Sequence, residues 1–290
     1  MMHAASATEE GRRFELEGAC LWGKVLGSGR LVLLLHGVTA NAYVWEPVAE
    51  LLSGSLSVVA VDQRGHGRTG PAADGDYTAA AFARDVAGIA AAMGEPLLVV
   101  GHSLGARNAI EAAARHPGTV AGVVAIDFTP FIEPPVLETL GARVAAGDRS
   151  FADLDEVRAY LRQRYPSVPD DAIQRRALHG YCKIADGRLR PLANPEAMRL
   201  SCEGLAEELA PALARMHVPG VLVRGASSAL VSPEAFRRTQ RLRPDLPAIE
   251  VTGADHYVPE ERPAAVADIV LSFADRFSGE RASNRVAGEG

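Results

Sequence analysis

The sequence predicts an α/β fold, with a mostly parallel central sheet, helices on both faces and a helical insertion. Three observations predict it. Apolar runs at 31–35, 57–61, 97–100 and 120–126 are continuous rather than alternating, the pattern of strands covered on both faces. Helix-length stretches at 42–52, 78–93 and 104–116 lie between them, and strand alternating with helix makes a parallel sheet. After Pro130 the alternation stops, and it resumes at residue 221. A chain of 290 residues suits one large domain, or a core carrying an insertion.

Taken in order, 14–26 has room for two edge strands ahead of the first long run. The run at 31–35 ends at His36-Gly37, and the run at 57–61 stops at the turn from Asp62 to Gly67. Gly94 and Pro117-Gly118 break the helices at 78–93 and 104–116. The run at 120–126 ends at Asp127. From 131 to 218 no convincing strand is visible, and Pro134, Pro135, Pro166, Pro169, Pro191 and Pro195 punctuate helical stretches. A strand at 221–224, a helix at 233–242, a strand at 248–251 and a helix at 263–277 complete the pattern. The expected division is a core of 1–130 and 219–278, a cap of 131–218 that forms a pocket with the sheet, and a flexible tail of 279–290.

Composition narrows the function. Thirty Lys and Arg against 36 Asp and Glu leave a net charge of -6, so neither nucleic acid nor an anionic membrane is an expected partner. No apolar run approaches the ~20 residues that span a bilayer. The N-terminus MMHAASATEEGRR has no signal-peptide core, and Cys20, Cys182 and Cys202 follow no disulfide or zinc spacing. A cytoplasmic protein with reduced thiols and no metal is expected.

The chemistry gathers at Gly101-His102-Ser103-Leu104-Gly105. This is G-x-S-x-G between an apolar strand and a helix, where a sharp turn presents a serine nucleophile. Serine needs a base. His256, in Gly253-Ala254-Asp255-His256-Tyr257 after the last strand, is best placed of the eight histidines. Backbone amides of Val38, after His36-Gly37, and of Leu104 would form an oxyanion hole. The acid is unusual. In many proteins of this architecture it follows the strand at 221–224 in a G-x-x-D pattern, but here the loop reads Gly225-Ala226-Ser227-Ser228-Ala229-Leu230. Asp127, at the end of the neighbouring strand, is the expected replacement; the alternative is a turn cap before Thr129-Pro130. Asp255 adjoins His256 and is badly aimed, so a surface role is expected.

The order His36-Gly37, Asp62 to Gly67, Gly101 to Gly105, cap, then His256 resembles the α/β-hydrolase superfamily over nearly the whole chain after residue 12. With the acid on the earlier strand, the chain further resembles the cofactor-free amidohydrolases of vitamin B6 degradation, which cleave an acetyl enamide bearing two carboxylates. That resemblance implies an α/β-hydrolase fold, a small anionic substrate and no cofactor, with Arg143 and Arg164 gripping carboxylates beside Tyr165. The cap also carries Arg158, Arg162, Arg175 and Arg176, and an arginine pair suits a dicarboxylate. Alternatively, Arg158 and Arg162 lie on a solvated helix face. A homodimer is a further expectation. The rival functions are a carboxylesterase, a carbon–carbon bond hydrolase of ring-cleavage products, and a ligand receptor without turnover.

Overall fold

A computed structural model describes the backbone of residues 11–287, and side chains as far as residue 275. The chain opens with β1 (Arg12–Leu16) and β2 (Ala19–Leu26), an antiparallel pair. There follow β3 (Arg30–Leu35), α1 (Glu46–Leu52), β4 (Leu56–Asp62), α2 (Ala79–Met93), β5 (Leu97–His102), α3 (Leu104–Arg115) and β6 (Val120–Ile126). The insertion holds α4 (Pro134–Ala145), α5 (Leu154–Arg164), α6 (Asp170–His179), β7 (Tyr181–Lys183), β8 (Leu189–Pro191), α7 (Pro195–Gly204) and α8 (Ala210–Arg215). The core resumes with β9 (Gly220–Gly225), α9 (Pro233–Leu242), β10 (Ala248–Val251), α10 (Val258–Glu261) and α11 (Pro263–Ala287).

Eight strands form one sheet in the order β1-β2-β4-β3-β5-β6-β9-β10, parallel from β4 to β10. The continuous apolar runs serve both faces because successive side chains point to opposite sides. Leu31, Leu33 and Leu35 of β3 pack with Phe82, Val86 and Ile89 of α2. Val32 and Leu34 join Val48 and Leu52 of α1 and Val266, Val270 and Phe273 of α11 on the other face. Two layers of helix around a parallel sheet follow directly.

Several expectations need correction. Of the two strands expected at the edge only β1 is one, because β2 lies between β1 and β4. The helix expected at 42–52 begins as a 3-10 turn, Ala42–Trp45, started by the Asn41 side chain accepting from the Tyr43 amide. The insertion, expected to be free of strands, contains the β7–β8 ladder. Each of these strands has three residues and β8 ends in Pro191, so no apolar run could reveal them; the turn between them is set by Gly187 at φ +87 and by the Asp186 side chain, which accepts from the Arg188 amide. The last helix continues past 277 to Ala287, where a frayed tail is expected from 279, and 288–290 lie outside the described residues. Within the insertion, Phe151, Val157, Leu161, Tyr165, Ala172 and Ile173 make a small core of their own around α5 and α6.

The core also encloses three histidines, His36, His66 and His102, whose pKa values burial lowers by disfavouring the imidazolium. His66, fully buried with Nδ1–H donating to the Arg64 carbonyl, falls to about 4. Between there and the unfolded value, only the unfolded chain binds the proton. Stability from this group is therefore complete above pH ~6.5 and is lost as pH falls toward 4, by about 3 kcal/mol. Urea midpoints measured from pH 7 to 4.5 should fall steeply, and His66→Asn, which keeps a donor for Arg64, should flatten the curve. An unchanged slope in that variant would show that His66 is not the group responsible.

Candidate active site

The turn from β5 into α3 places Ser103 at φ 55 and ψ -117, a conformation rare for a residue with a side chain. Two glycines make it possible. A Cβ at Gly101 would strike the Gly105 carbonyl, and one at Gly105 would strike the Leu35 carbonyl. The Ser103 amide donates to the Ile126 carbonyl at 2.9 Å, fixing the turn against β6. Ser103 thus sits at the N-terminus of α3, where the helix dipole favours negative charge.

Asp127 follows β6 at φ 53 and is fully buried. A buried carboxylate is costly unless its oxygens are satisfied. Here the Gly225 amide donates to Oδ1 at 2.9 Å, and the Ser228 hydroxyl donates to Oδ2 at 2.6 Å. His256 Nδ1–H donates to Oδ2 at 2.7 Å. Ser228 is the third residue after Gly225, the position of the carboxylate in the G-x-x-D pattern. β6 and β9 are neighbours, with Ile126 opposite Val223, so a side chain from either strand end reaches the same point. The loop that lacks a carboxylate instead holds the one supplied by β6.

His256 lies in the turn after β10, and its backbone carbonyl accepts from His102 Nε2–H at 2.7 Å. Burial, then the proximity of His256, keeps His102 neutral, so it serves as a fixed donor. Asp255 is half-buried rather than free on the surface: its Oδ1 accepts from the Ala229 amide, tying the His256 turn to the loop that carries Ser228.

Ser103 and His256 line one small pocket, about 20 Å³, together with Val38, Thr39, Arg143, Arg164, Tyr165, Arg176 and Tyr257. Ser103 Oγ is buried there without a hydrogen-bond partner among the described residues. Leu104 is buried directly behind it, as the first residue of α3. Thr39, next to Val38, has φ 64, so Ser103, Asp127 and the loop after His36 all carry backbone strain.

The structure brings Arg143, Arg164 and Tyr165 together on this pocket. Arg143 Nη2 donates to the Arg164 carbonyl at 3.2 Å, and Arg164 donates to the hydroxyls of Tyr165 and Tyr160 at 3.0 and 3.1 Å. Sequence reasoning leaves Arg176 undistinguished among the cap arginines, yet it is buried in the same wall. It grips Glu260 through Nε and Nη2 and lies over the rings of Tyr165 and Tyr257. Burial raises the Tyr165 pKa, but the cations Arg176 and Arg164 outweigh it and the net shift is downward. Arg158, Arg162 and Arg175 instead pair with Asp155, Asp170 and Asp171, whose side chains are exposed. Tyr257 and Ser228 could be found in the sequence only by position, one beside His256 and the other in the G-x-x-D register. Among the described residues no group of three or more His, Cys, Asp or Glu is placed to hold a metal ion, and no helix is long and apolar enough to cross a membrane.

A sequence profile of the alpha/beta hydrolase family matches residues 32–269. 2-(Acetamidomethylene)succinate hydrolase of Mesorhizobium japonicum is 47% identical over 91% of this chain and 95% of that protein. N-formylmaleamate deformylase of Pseudomonas putida is 26% identical over 80% of this chain and 84% of that protein. Among solved structures, E-2-(acetamidomethylene)succinate hydrolase matches with a TM-score of 0.88 and 46% identity, over 91% of this chain and 98% of that one. The chain belongs to the alpha/beta hydrolase family and is a hydrolase of small substrates.

Proposed function

We propose that the chain is a serine amidohydrolase acting on a small dicarboxylate amide, with E-2-(acetamidomethylene)succinate as its substrate. The observation that carries this reading is the wall of Arg143, Arg164 and Arg176 facing Ser103 and His256 across one pocket. Similarity to a relative that bears that activity in its name supports it. A neutral ester would have no use for such a wall.

In this mechanism Ser103 Oγ attacks the amide carbonyl carbon as its proton passes to His256 Nε2. Asp127 accepts from Nδ1–H, so it holds the tautomer with Nε2 free and stabilises the imidazolium that forms. The amides of Val38 and Leu104 donate to the tetrahedral oxyanion. His256 then gives its proton to the leaving nitrogen, the C–N bond breaks and the acyl group stays on Ser103. Water, deprotonated by the same histidine, attacks the acyl ester; acetate leaves and Ser103 regains its proton. Arg143 and Arg164 bind the carboxylates of the leaving half, beside the Tyr165 hydroxyl, which accepts from Arg164. We place the reaction in the cytoplasm, a setting that suits the free cysteines Cys20, Cys182 and Cys202.

The test compares kcat/KM for E-2-(acetamidomethylene)succinate with that for p-nitrophenyl acetate. The dicarboxylate should be preferred, and Arg164→Ala should raise its KM by about 10- to 100-fold, the worth of a charge-assisted hydrogen bond, while leaving the ester unchanged. Turnover of the ester alone, or an equal loss on both substrates, would refute the dicarboxylate reading. Ser103→Ala should abolish both.

A further inference from the structure

Four buried polar side chains are linked in a line near Ser103: Arg107 and Asn108 on α3, Gln63 just after β4 and His36 just after β3. Arg107 Nη1 donates to Asn108 Oδ1 at 3.3 Å, Asn108 Nδ2 to Gln63 Oε1 at 2.8 Å, and Gln63 Nε2 to the His36 carbonyl at 2.6 Å. The Gln63 backbone amide also donates to His36 Nε2 at 3.0 Å, which leaves the imidazole proton on Nδ1. His36 Nδ1–H then donates to the Gly37 carbonyl at 2.8 Å, an oxygen that also accepts from the Ala40 amide at 3.2 Å. The line thus ends on the peptide that carries the Val38 amide. A peptide unit is planar and trans, so its N–H points away from its C=O. Holding the Gly37 carbonyl on one side therefore aims the Val38 amide to the other. A Cβ on Gly37 would come within 3.2 Å of the Ser103 Cβ, so this segment lies directly against Ser103.

The direction of these bonds is fixed at both ends. Arg107 can only donate and the His36 carbonyl can only accept, so the two side-chain amides between them have one orientation that satisfies every group. Turning either amide over would set oxygen against oxygen in a buried place, at the cost of an unsatisfied pair. Glu207, from the insertion, accepts from Arg107 Nη2 at 2.9 Å and offsets the buried cation, so the donor end of the line stays in place.

We infer that Gln63 is a positioning residue for the reaction: oriented by Asn108 and Arg107, it holds the His36–Gly37 segment so that the Val38 amide donates to the oxyanion. The inference rests on the reading of Ser103 as nucleophile and of Val38 as an oxyanion donor. Gln63 does not line the Ser103 pocket, so it acts through the loop and never on the substrate.

The deciding variant is Asn108→Asp, which keeps the side chain's size and gives Arg107 a charged acceptor. A carboxylate cannot donate to Gln63, and a charge-assisted bond is about twice as strong as a neutral one, so the Gln63 amide turns over to donate to it. Its oxygen then faces the His36 carbonyl and the loop is pushed out of place. The expected result is a kcat lower by about 10- to 100-fold with KM unchanged. That falls short of the ~10²- to 10³-fold for removing an oxyanion donor outright, because the Leu104 amide remains. The loss should be equal on E-2-(acetamidomethylene)succinate and on p-nitrophenyl acetate, since both substrates use the same oxyanion site. Gln63→Met fills the same space without a donor and should show the same split; circular dichroism identifies the folded variants, and either one alone decides. Parent-like kcat in the folded variant, or a loss carried by KM, overturns the inference. Fluorophosphonate labelling of the parent enzyme tests the underlying reading separately. Ser103 labelled in the parent beside parent-like kcat in Asn108→Asp refutes the positioning role alone, whereas no labelling of Ser103 removes both readings.

Discussion

One hydrogen bond organises the candidate active site: His256 Nδ1 to Asp127 Oδ2, at 2.7 Å. It joins residues 129 positions apart in sequence, and the carboxylate it uses is fully buried. Such a group persists only because Gly225 and Ser228 supply further donors, so an unpaired charge is never left in the core. The surrounding structure also accepts strain to keep the geometry, with Asp127 and Ser103 both at positive φ. Strain held at two adjacent strand ends is consistent with a preorganised site rather than one assembled by the substrate.

Sheet order explains why the acid can sit where it does. β6 lies between β5, which leads to Ser103, and β9, which leads to Ser228. A carboxylate from the end of β6 is therefore within reach of a histidine from the turn after β10. The fold fixes the place of the negative charge more tightly than it fixes which strand supplies it. Ser228 shows the complement: the residue at the usual acidic position becomes the donor that satisfies the displaced acid.

The parallel strands are legible in the sequence because full burial requires short continuous apolar runs such as 31–35 and 97–100, each closed by a turn signal. Ser103 is legible because its turn demands Gly101 and Gly105, and His256 because it follows the last strand. Asp127 is legible only by elimination, from the missing carboxylate near Ser228. The β7–β8 ladder leaves no trace, since three-residue strands held by a turn need no apolar pattern. Arg176 is hidden for a different reason. Its burial depends on Glu260, Tyr165 and Tyr257, contacts between residues far apart in sequence, and no local pattern separates it from Arg158 or Arg162 on the outer face.

The most direct measurement of the central bond is kcat for Asp127→Asn beside Asp255→Asn. An asparagine at 127 keeps the size of the side chain but offers an amide where His256 Nδ1–H needs an acceptor, which turns the imidazole to the wrong tautomer. The expected result is a loss in kcat of about 10³- to 10⁴-fold for Asp127→Asn with KM little changed, against near-normal turnover for Asp255→Asn. Turnover within tenfold of the parent for Asp127→Asn, or an equal loss at Asp255, would contradict the placing of the acid at the end of β6.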